Sequence, residues 1–149
     1  MAILVIEDDR LLRRATERAL VKAGYEATGI GDGEDGLRLA SEKTPDLILL
    51  DMMLPTLSGL CLLQRLKQDK RTQHIPVIVL SGLSHTNAAK LAKEGAAGYL
   101  EKSDELFRNN STLLLQEIER VLASAGPGES IPASSRLLNV GPSGEAPNR

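Results

Sequence analysis

The chain has 149 residues, 42% hydrophobic and 26% charged, with a formal net charge of −2 and only 2% aromatic residues. That size fits one compact domain with an aliphatic core. The acidic balance and scarcity of rings exclude general nucleic-acid binding by charge or base stacking, no apolar run approaches membrane-spanning length, and a single cysteine, Cys61, excludes an intrachain disulfide or a cysteine metal cage.

Strand and helix signals alternate along the chain. Ala2 to Ile6 is a continuous apolar run, as expected of a strand covered on both faces. Asp9 is placed to cap a first helix whose inward stripe is read as Leu12, Ala15, Ala19 and Ala23, with Gly24 ending it. Arg10, Arg13, Arg14 and Arg18 make that helix basic, and a solvated face is the expected role, with kinase docking second. Tyr25 to Ile30 reads as a second strand, and Gly31-Asp32-Gly33 as a turn into a short helix carrying Leu37 and Ala40 and stopped by Pro45. Leu47 to Leu50 is a third strand. Gly59 opens a helix with Leu60, Leu63 and Leu66 facing in, and Cys61 is expected as a small buried side chain on it. Pro76 precedes a β-branched strand from Val77 to Leu80. Asn87 to Glu94 is helical and closed by Gly95, Ala97 to Glu101 is a fifth strand, and Leu114, Ile118, Val121 and Leu122 mark a last helix. Five such units predict an α/β fold, a five-stranded parallel sheet with helices on both faces and right-handed crossovers.

The periodic part spans residues 1–124. From 125 to 149 a flexible tail is expected, since Gly126 to Arg149 holds four Gly, four Pro and four Ser in 24 residues. The N-terminus starts at once with a strand-like run and shows no leader, which with the lone cysteine predicts a cytoplasmic protein. His74 and His85 have no metal-ligand spacing and are expected at the surface.

The chemistry lies where apolar runs end in polar groups: Ile6-Glu7-Asp8-Asp9, Leu50-Asp51, Leu80-Ser81-Gly82 and Tyr99-Leu100-Glu101-Lys102. In an open parallel sheet these ends share one edge, where such folds place their binding sites. Taken singly, each has an ordinary reading. The acidic triplet would be a helix cap with solvated charge, Lys102 a surface lysine, Ser81 a turn residue and Tyr99 a half-buried aromatic. Brought together, Glu7, Asp8 and Asp51 would repel unless a hard divalent cation neutralised them, and Mg²⁺ prefers such oxygens. Metal and lysine together suit in-line phosphoryl transfer. Asp51 is the best nucleophile, Ser81 can donate to a bound phosphoryl group, Gly82 leaves room for its approach, and Lys102 supplies fixed positive charge.

These four segments, with Asp51-Met52-Met53-Leu54-Pro55 and Gly59, resemble the receiver domain of two-component response regulators over roughly Met1 to Ala123. The resemblance implies a flavodoxin-like (βα)5 receiver fold. Asp51 would be the phosphoacceptor, Asp8 a direct metal ligand, Glu7 an acidic partner acting largely through water, and Met53 a ligand through its backbone carbonyl. Ser81 would be the switch hydroxyl, Tyr99 the switch aromatic and Lys102 the phosphate-pairing lysine. The phosphoryl donor would be a histidine kinase or histidine phosphotransfer protein, with small phosphodonors as substitutes.

Two departures stand out. Ser103 follows Lys102 where the family commonly has a proline in a cis bond, and the stretch from Ser103 to Thr112, with Asn109-Asn110, is longer than usual.

The sequence thus leads to a stand-alone, Mg²⁺-dependent, phosphorylation-controlled switch that is not an enzyme beyond its own phosphorylation and dephosphorylation. Its output protein is unspecified, with a homodimer as a further candidate and with neither nucleic acid nor membrane as a direct partner. A phosphorelay intermediate or phosphate sink is the nearest alternative. A metal-dependent phosphohydrolase is disfavoured because Met53 occupies the position of a second acid, and an unphosphorylated interaction module is disfavoured by the full set of pocket groups. Met53 and Leu83, both apolar, cannot hydrogen-bond a hydrolytic water, which predicts a long-lived phosphoryl group.

Overall fold

A computed structural model describes residues 1–54, 58–82 and 88–125. Pro55, Leu83, His85, Asn87 and the stretch from Gly126 onward lie outside these described residues. Met1–Ile118 forms one compact unit, and the end of the last helix, from Glu119, falls outside it.

Five strands, β1 (Ala2–Ile6), β2 (Glu26–Ile30), β3 (Leu47–Asp51), β4 (Val77–Ser81) and β5 (Gly98–Glu101), alternate with helices α1 (Arg10–Lys22), α2 (Gly33–Lys43), α3 (Gly59–Gln68), α4 (Ala88–Lys93) and α5 (Arg108–Ala125). Every pairing is parallel and the order is β2-β1-β3-β4-β5. The expected sheet is therefore present, with strand ends shifted by a residue or so. β1, β3 and β4 are buried almost throughout because both faces are covered. Leu4, Ile6, Ile48, Leu50, Val77 and Val79 share one face with Ala40 of α2, Leu62, Leu63 and Leu66 of α3 and Leu91 of α4. Ile3, Val5, Leu47, Leu49, Ile78 and Leu80 occupy alternate positions and are also buried, with α1 packed against β1 and β2. Each such fully buried Leu or Ile contributes about 1.5–3 kcal/mol.

The chain winds from β1 outward to β2, then returns past β1 to β3. A crevice opens at that reversal, outside the carboxyl ends of β1 and β3. Register aims two carboxylates at it, because Ile6 pairs with Leu50 and so Glu7 and Asp51 follow side by side.

Several local expectations are corrected. In α1 the buried residues are Thr16 and Leu20, Ala15 and Ala19 are only half-buried, and Ala23 is exposed. Thr16 can turn inward because its hydroxyl donates to the Leu12 carbonyl at 2.7 Å. Cys61 is exposed rather than buried, since α3 turns Leu62, Leu63 and Leu66 inward and Leu60 is half-buried. The Lys102–Ser103 peptide bond is trans. The long stretch that follows holds a 3-10 turn at Asp104–Phe107. There Asn109, Asn110 and Ser111 adopt left-handed backbone angles, φ 53°, 61° and 64°, with the Thr112 hydroxyl donating to the Asn109 carbonyl. The Asn pair suits this turn, since asparagine tolerates left-handed backbone better than most residues.

Two positions have opposite backbone requirements. Thr44 ends α2 at φ 42°, a left-handed C-cap that a β-branched residue fills poorly. At Gly59 a Cβ would stand 2.5 Å from Met52 Cα and 2.6 Å from the Asp51 carbonyl oxygen. The Gly59 amide donates to the Met52 carbonyl at 3.0 Å, so α3 starts directly against the backbone that carries Asp51. Thr44→Gly is expected to stabilise the fold by about 1 kcal/mol, whereas Gly59→Ala should destabilise it by about 1–3 kcal/mol. Chemical denaturation of both variants measures this, and shifts of the same sign would contradict the backbone argument.

Candidate functional site

The pocket is built from the residue that ends or follows each inner strand. The acidic triplet after β1 divides into three roles. Asp9 caps α1, its Oδ1 accepting from the Leu11 and Leu12 amides at 2.9 and 3.2 Å. Glu7 is fully buried, and Asp8 between them is exposed. One carboxylate oxygen from each of Glu7, Asp8 and Asp51 lies within 4.8 Å of the others.

Asp51, also fully buried, accepts through Oδ1 from the Met53 amide at 3.0 Å. The same oxygen lies 2.8 Å from Lys102 Nζ, which is also 3.0 Å from Glu7 Oε1. Glu7 Oε2 accepts from Lys102 Nζ at 3.3 Å and from the Asp9 amide at 3.2 Å. The Lys102 amide donates to the Ser81 carbonyl at 2.8 Å, which fixes the start of that side chain at the end of β4.

Burial pushes the Glu7 carboxyl up from 4.5 to about 7, with the Lys102 hydrogen bond opposing this and the negative charge of Asp51 adding to it. For Lys102, burial acts downward but the hydrogen bonds to Asp51 and Glu7 prevail and raise it. Among the described residues, Glu7 Oε1 and Asp51 Oδ2 are buried without a hydrogen-bond partner, the former near the ammonium but poorly aligned with it. Such oxygens are costly to bury and are suited to accept a cation. Three carboxylates facing one ammonium form a hard-oxygen donor set that fits Mg²⁺.

The remaining expected residues surround this centre. Ser81 ends β4, buried, one position beyond the Leu80 that pairs with Asp51. A Cβ at Gly82 would meet nothing within 4 Å, so the space there is open. Tyr99 is half-buried on β5, in register with Val79, and its amide donates to Glu117 of α5 at 3.3 Å. Met53 is 64% exposed at the pocket mouth. His74 is exposed, as expected.

One residue of the site escaped the sequence reading. Arg13 is half-buried, and its guanidinium donates to the Glu7 carbonyl at 2.9 Å, bracing the turn that presents Glu7 and Asp8. The available signal was Gly29 and Gly31, where a Cβ would come within 2.8 Å of the Arg13 side chain.

A parallel sheet of this order, with an acidic pocket and one lysine at its reversal point, defines a signal-receiver module. A family model for the response regulator receiver domain matches residues 3–109. The chain belongs to that family. Phosphorylation and Mg²⁺ binding at an acidic pocket are general features of the family. The chain is 34% identical over 150 residues to a DNA-binding dual master transcriptional regulator of Synechocystis, covering 99% of this chain and 59% of that protein. It is 35% identical over 129 residues to the phosphate regulon transcriptional regulatory protein of Pseudomonas aeruginosa, covering 86% of this chain and 54% of that protein. It thus spans little more than half the length of these relatives. Among solved structures it resembles a putative response regulator from Chloroflexus aurantiacus (TM-score 0.72, 29% identity, 82% of this chain and 97% of that one). It also resembles the signal receiver domain of a histidine kinase from Syntrophus aciditrophicus (TM-score 0.74, 27% identity, 89% and 98%). Among the described residues no helix is long and apolar enough to cross a membrane.

The Glu7 carboxyl yields a pH-dependent prediction for protein kept free of divalent metal. Unfolded, Glu7 loses its proton near 4.5; folded, it keeps it to about 7. The native state therefore binds more protons in that window, and stability falls as pH rises through it. Glu7→Gln removes this loss, so with chelator present its melting temperature should exceed that of the wild type by several degrees at pH 8 and match it at pH 4. A lower value at pH 8 would show that charged Glu7 is a net stabiliser through Lys102.

Proposed function

We propose that this receiver accepts a phosphoryl group on Asp51 from a histidine kinase or histidine phosphotransfer protein and signals by changing which partner it binds. The observation that carries the proposal is Asp51 itself: one oxygen is engaged by Lys102 and the Met53 amide, while the other is buried without a partner. An in-line attack by that free oxygen forms the P–O bond as the P–N bond to the donor histidine breaks. Lys102 follows the charge, since the oxygen it holds becomes part of an acyl phosphate. Glu7, Asp8, Asp51 and the Met53 carbonyl would hold Mg²⁺, which supplies charge neutralisation for the phosphoryl oxygens when bound.

The switch rests on Ser81 and Tyr99. Ser81 lies one position beyond Leu80, the register partner of Asp51, and donates to the new phosphoryl oxygens, and its inward movement opens space that Tyr99 follows, shifting a two-state equilibrium. The backbone bond from Lys102 to Ser81 makes these groups neighbours across β4 and β5. Onward transfer to another histidine, as in a phosphorelay, uses the same groups. Hydrolysis as a trade is disfavoured, since exposed, apolar Met53 offers no acid for a leaving group.

Incubation with Mg²⁺ and a small phosphodonor should add one acid-labile phosphoryl group to wild type and none to Asp51→Asn. Equal labelling of that variant would refute the assignment. Asp8→Ala deletes a metal oxygen and should weaken Mg²⁺ binding by about tenfold or more, read by titration; unchanged affinity would remove Asp8 from the ligand set. Met53→Asn places an amide at the pocket mouth and should speed phosphoryl loss, and an unchanged rate would exclude Met53 from the path of the hydrolytic water.

A further inference from the structure

The amino-terminal edge of the sheet, opposite the carboxylate pocket, holds a cleft that the phosphoryl chemistry does not use. Its floor is the start of β1 and β2, where Ala2 pairs with Glu26 and Leu4 with Thr28. Its wall is the last part of α2, Leu39 and Lys43, followed by Pro45. The cleft follows from how α2 lies on the sheet. At Gly36 the helix comes so close to β1 that a Cβ would stand 2.7 Å from Ile6 Cδ1, and one turn on Ala40 is fully buried. Beyond that contact the helix ends at Lys43, and about 330 Å³ stays open between its last turn and the strand starts. Ligand pockets run from about 300 to 1,000 Å³, so this one has room for a small metabolite.

The lining is of two kinds. Leu4 and Pro45 are buried and Ala2 and Leu39 half-buried, which makes one side aliphatic, while Glu26, Thr28 and Lys43 are exposed polar groups. Glu26 and Lys43 are opposite in charge and line the same cleft. Yet among the described residues neither makes an ion pair or a side-chain hydrogen bond, with the other or with any further group. The Asp46 carboxylate does not compete for Lys43, because its Oδ2 accepts from the Ala2 amide at 2.7 Å, a bond that also fixes the start of β1.

From these two unpaired charges beside an aliphatic floor we infer that the cleft binds a small aliphatic α-amino acid. Its ammonium would lie on Glu26, its carboxylate on Lys43, and its side chain against Leu4 and Leu39, with the Thr28 hydroxyl as a further hydrogen-bonding group. A plain acid or amine would satisfy only one of the two charges, and a dicarboxylate would set an anion against Glu26. No aromatic side chain lines the cleft, so nothing there stacks a nucleobase. Ala2 stands five residues before Glu7, about 16 Å along β1. The site thus goes beyond the phosphoryl-transfer reading and is separate from its carboxylates, and its test needs no phosphorylated protein.

The full chain, labelled with ¹⁵N, is titrated with L-leucine and followed amide by amide by NMR. Saturable shifts should appear at Leu4, Thr28 and Leu39. Leucinamide, which lacks the carboxylate, and 4-methylpentanoate, which lacks the ammonium, should each bind about tenfold more weakly. Glu26→Gln and Lys43→Gln alter only exposed side chains and should weaken L-leucine binding by a similar factor. In Lys43→Gln, L-leucine and leucinamide should bind alike, because the carboxylate has lost its partner. Thr28→Tyr, at an exposed strand position, should fill the cleft and abolish binding with an unchanged fold by circular dichroism. Absence of saturable shifts, shifts confined to the surroundings of Glu7 and Asp51, equal binding of the three compounds, or full binding by Lys43→Gln would each overturn the inference.

Discussion

The ammonium of Lys102, set between Asp51 and Glu7, is the contact on which the pocket depends. It comes from the end of β5, yet its partners stand on β3 and after β1, so the side chain must reach across β4. Neighbouring strands lie about 4.8 Å apart, and only a long, flexible stem covers that distance. Anchoring the Lys102 backbone to the Ser81 carbonyl brings the start of the stem close to the edge of β4. Without that charge two fully buried carboxylates would face each other across one register position. Their repulsion would force protonation or part the ends of β1 and β3.

The lysine only partly satisfies what it holds together. One oxygen on each carboxylate stays buried without a hydrogen bond, and such a group costs about 1–3 kcal/mol. A domain of ordinary stability, about 5–15 kcal/mol, can carry two such costs only where the surrounding packing is dense. Here β1, β3 and β4 supply it, with two covered faces of aliphatic side chains directly beneath the pocket. The site is thus a locally unfavourable arrangement held by a favourable core, and a cation or a phosphoryl group arriving there relieves strain that folding left in place.

Much of this was legible in the chain because the same physics acts on both levels. Short apolar runs that alternate with helix signals and end in a polar group read as buried parallel strands, and the convergence of Glu7, Asp51, Ser81 and Lys102 at one edge follows from that reading. Features set by close contact were not legible. Nothing in the composition of α1 favours Thr16 over Ala15 for the interior, since a threonine is acceptable there only after its hydroxyl has found the Leu12 carbonyl. Cys61 was misplaced because small size suggests burial, whereas the helix phase is set by three leucines. Arg13 read as one more surface cation until Gly29 and Gly31 were seen to make room for it. Gly59 read as a helix start, and only the approach of Met52 shows why no other residue fits.

α1 shows how one element can serve two masters without mixing them. Asp9 caps its start, Arg13 braces the turn after β1, and Glu17 blocks the outward amide of Gly29 on edge strand β2, a position otherwise open to pairing with another chain. All three act toward the sheet or the pocket. The cations at positions 10, 14 and 18 each follow one residue later, about 100° further around the helix, with position 22 continuing their row, and all four are exposed. None of the four makes the contacts that Asp9, Arg13 and Glu17 make, so the inner side of α1 holds the turn after β1 while its outer side stays solvated.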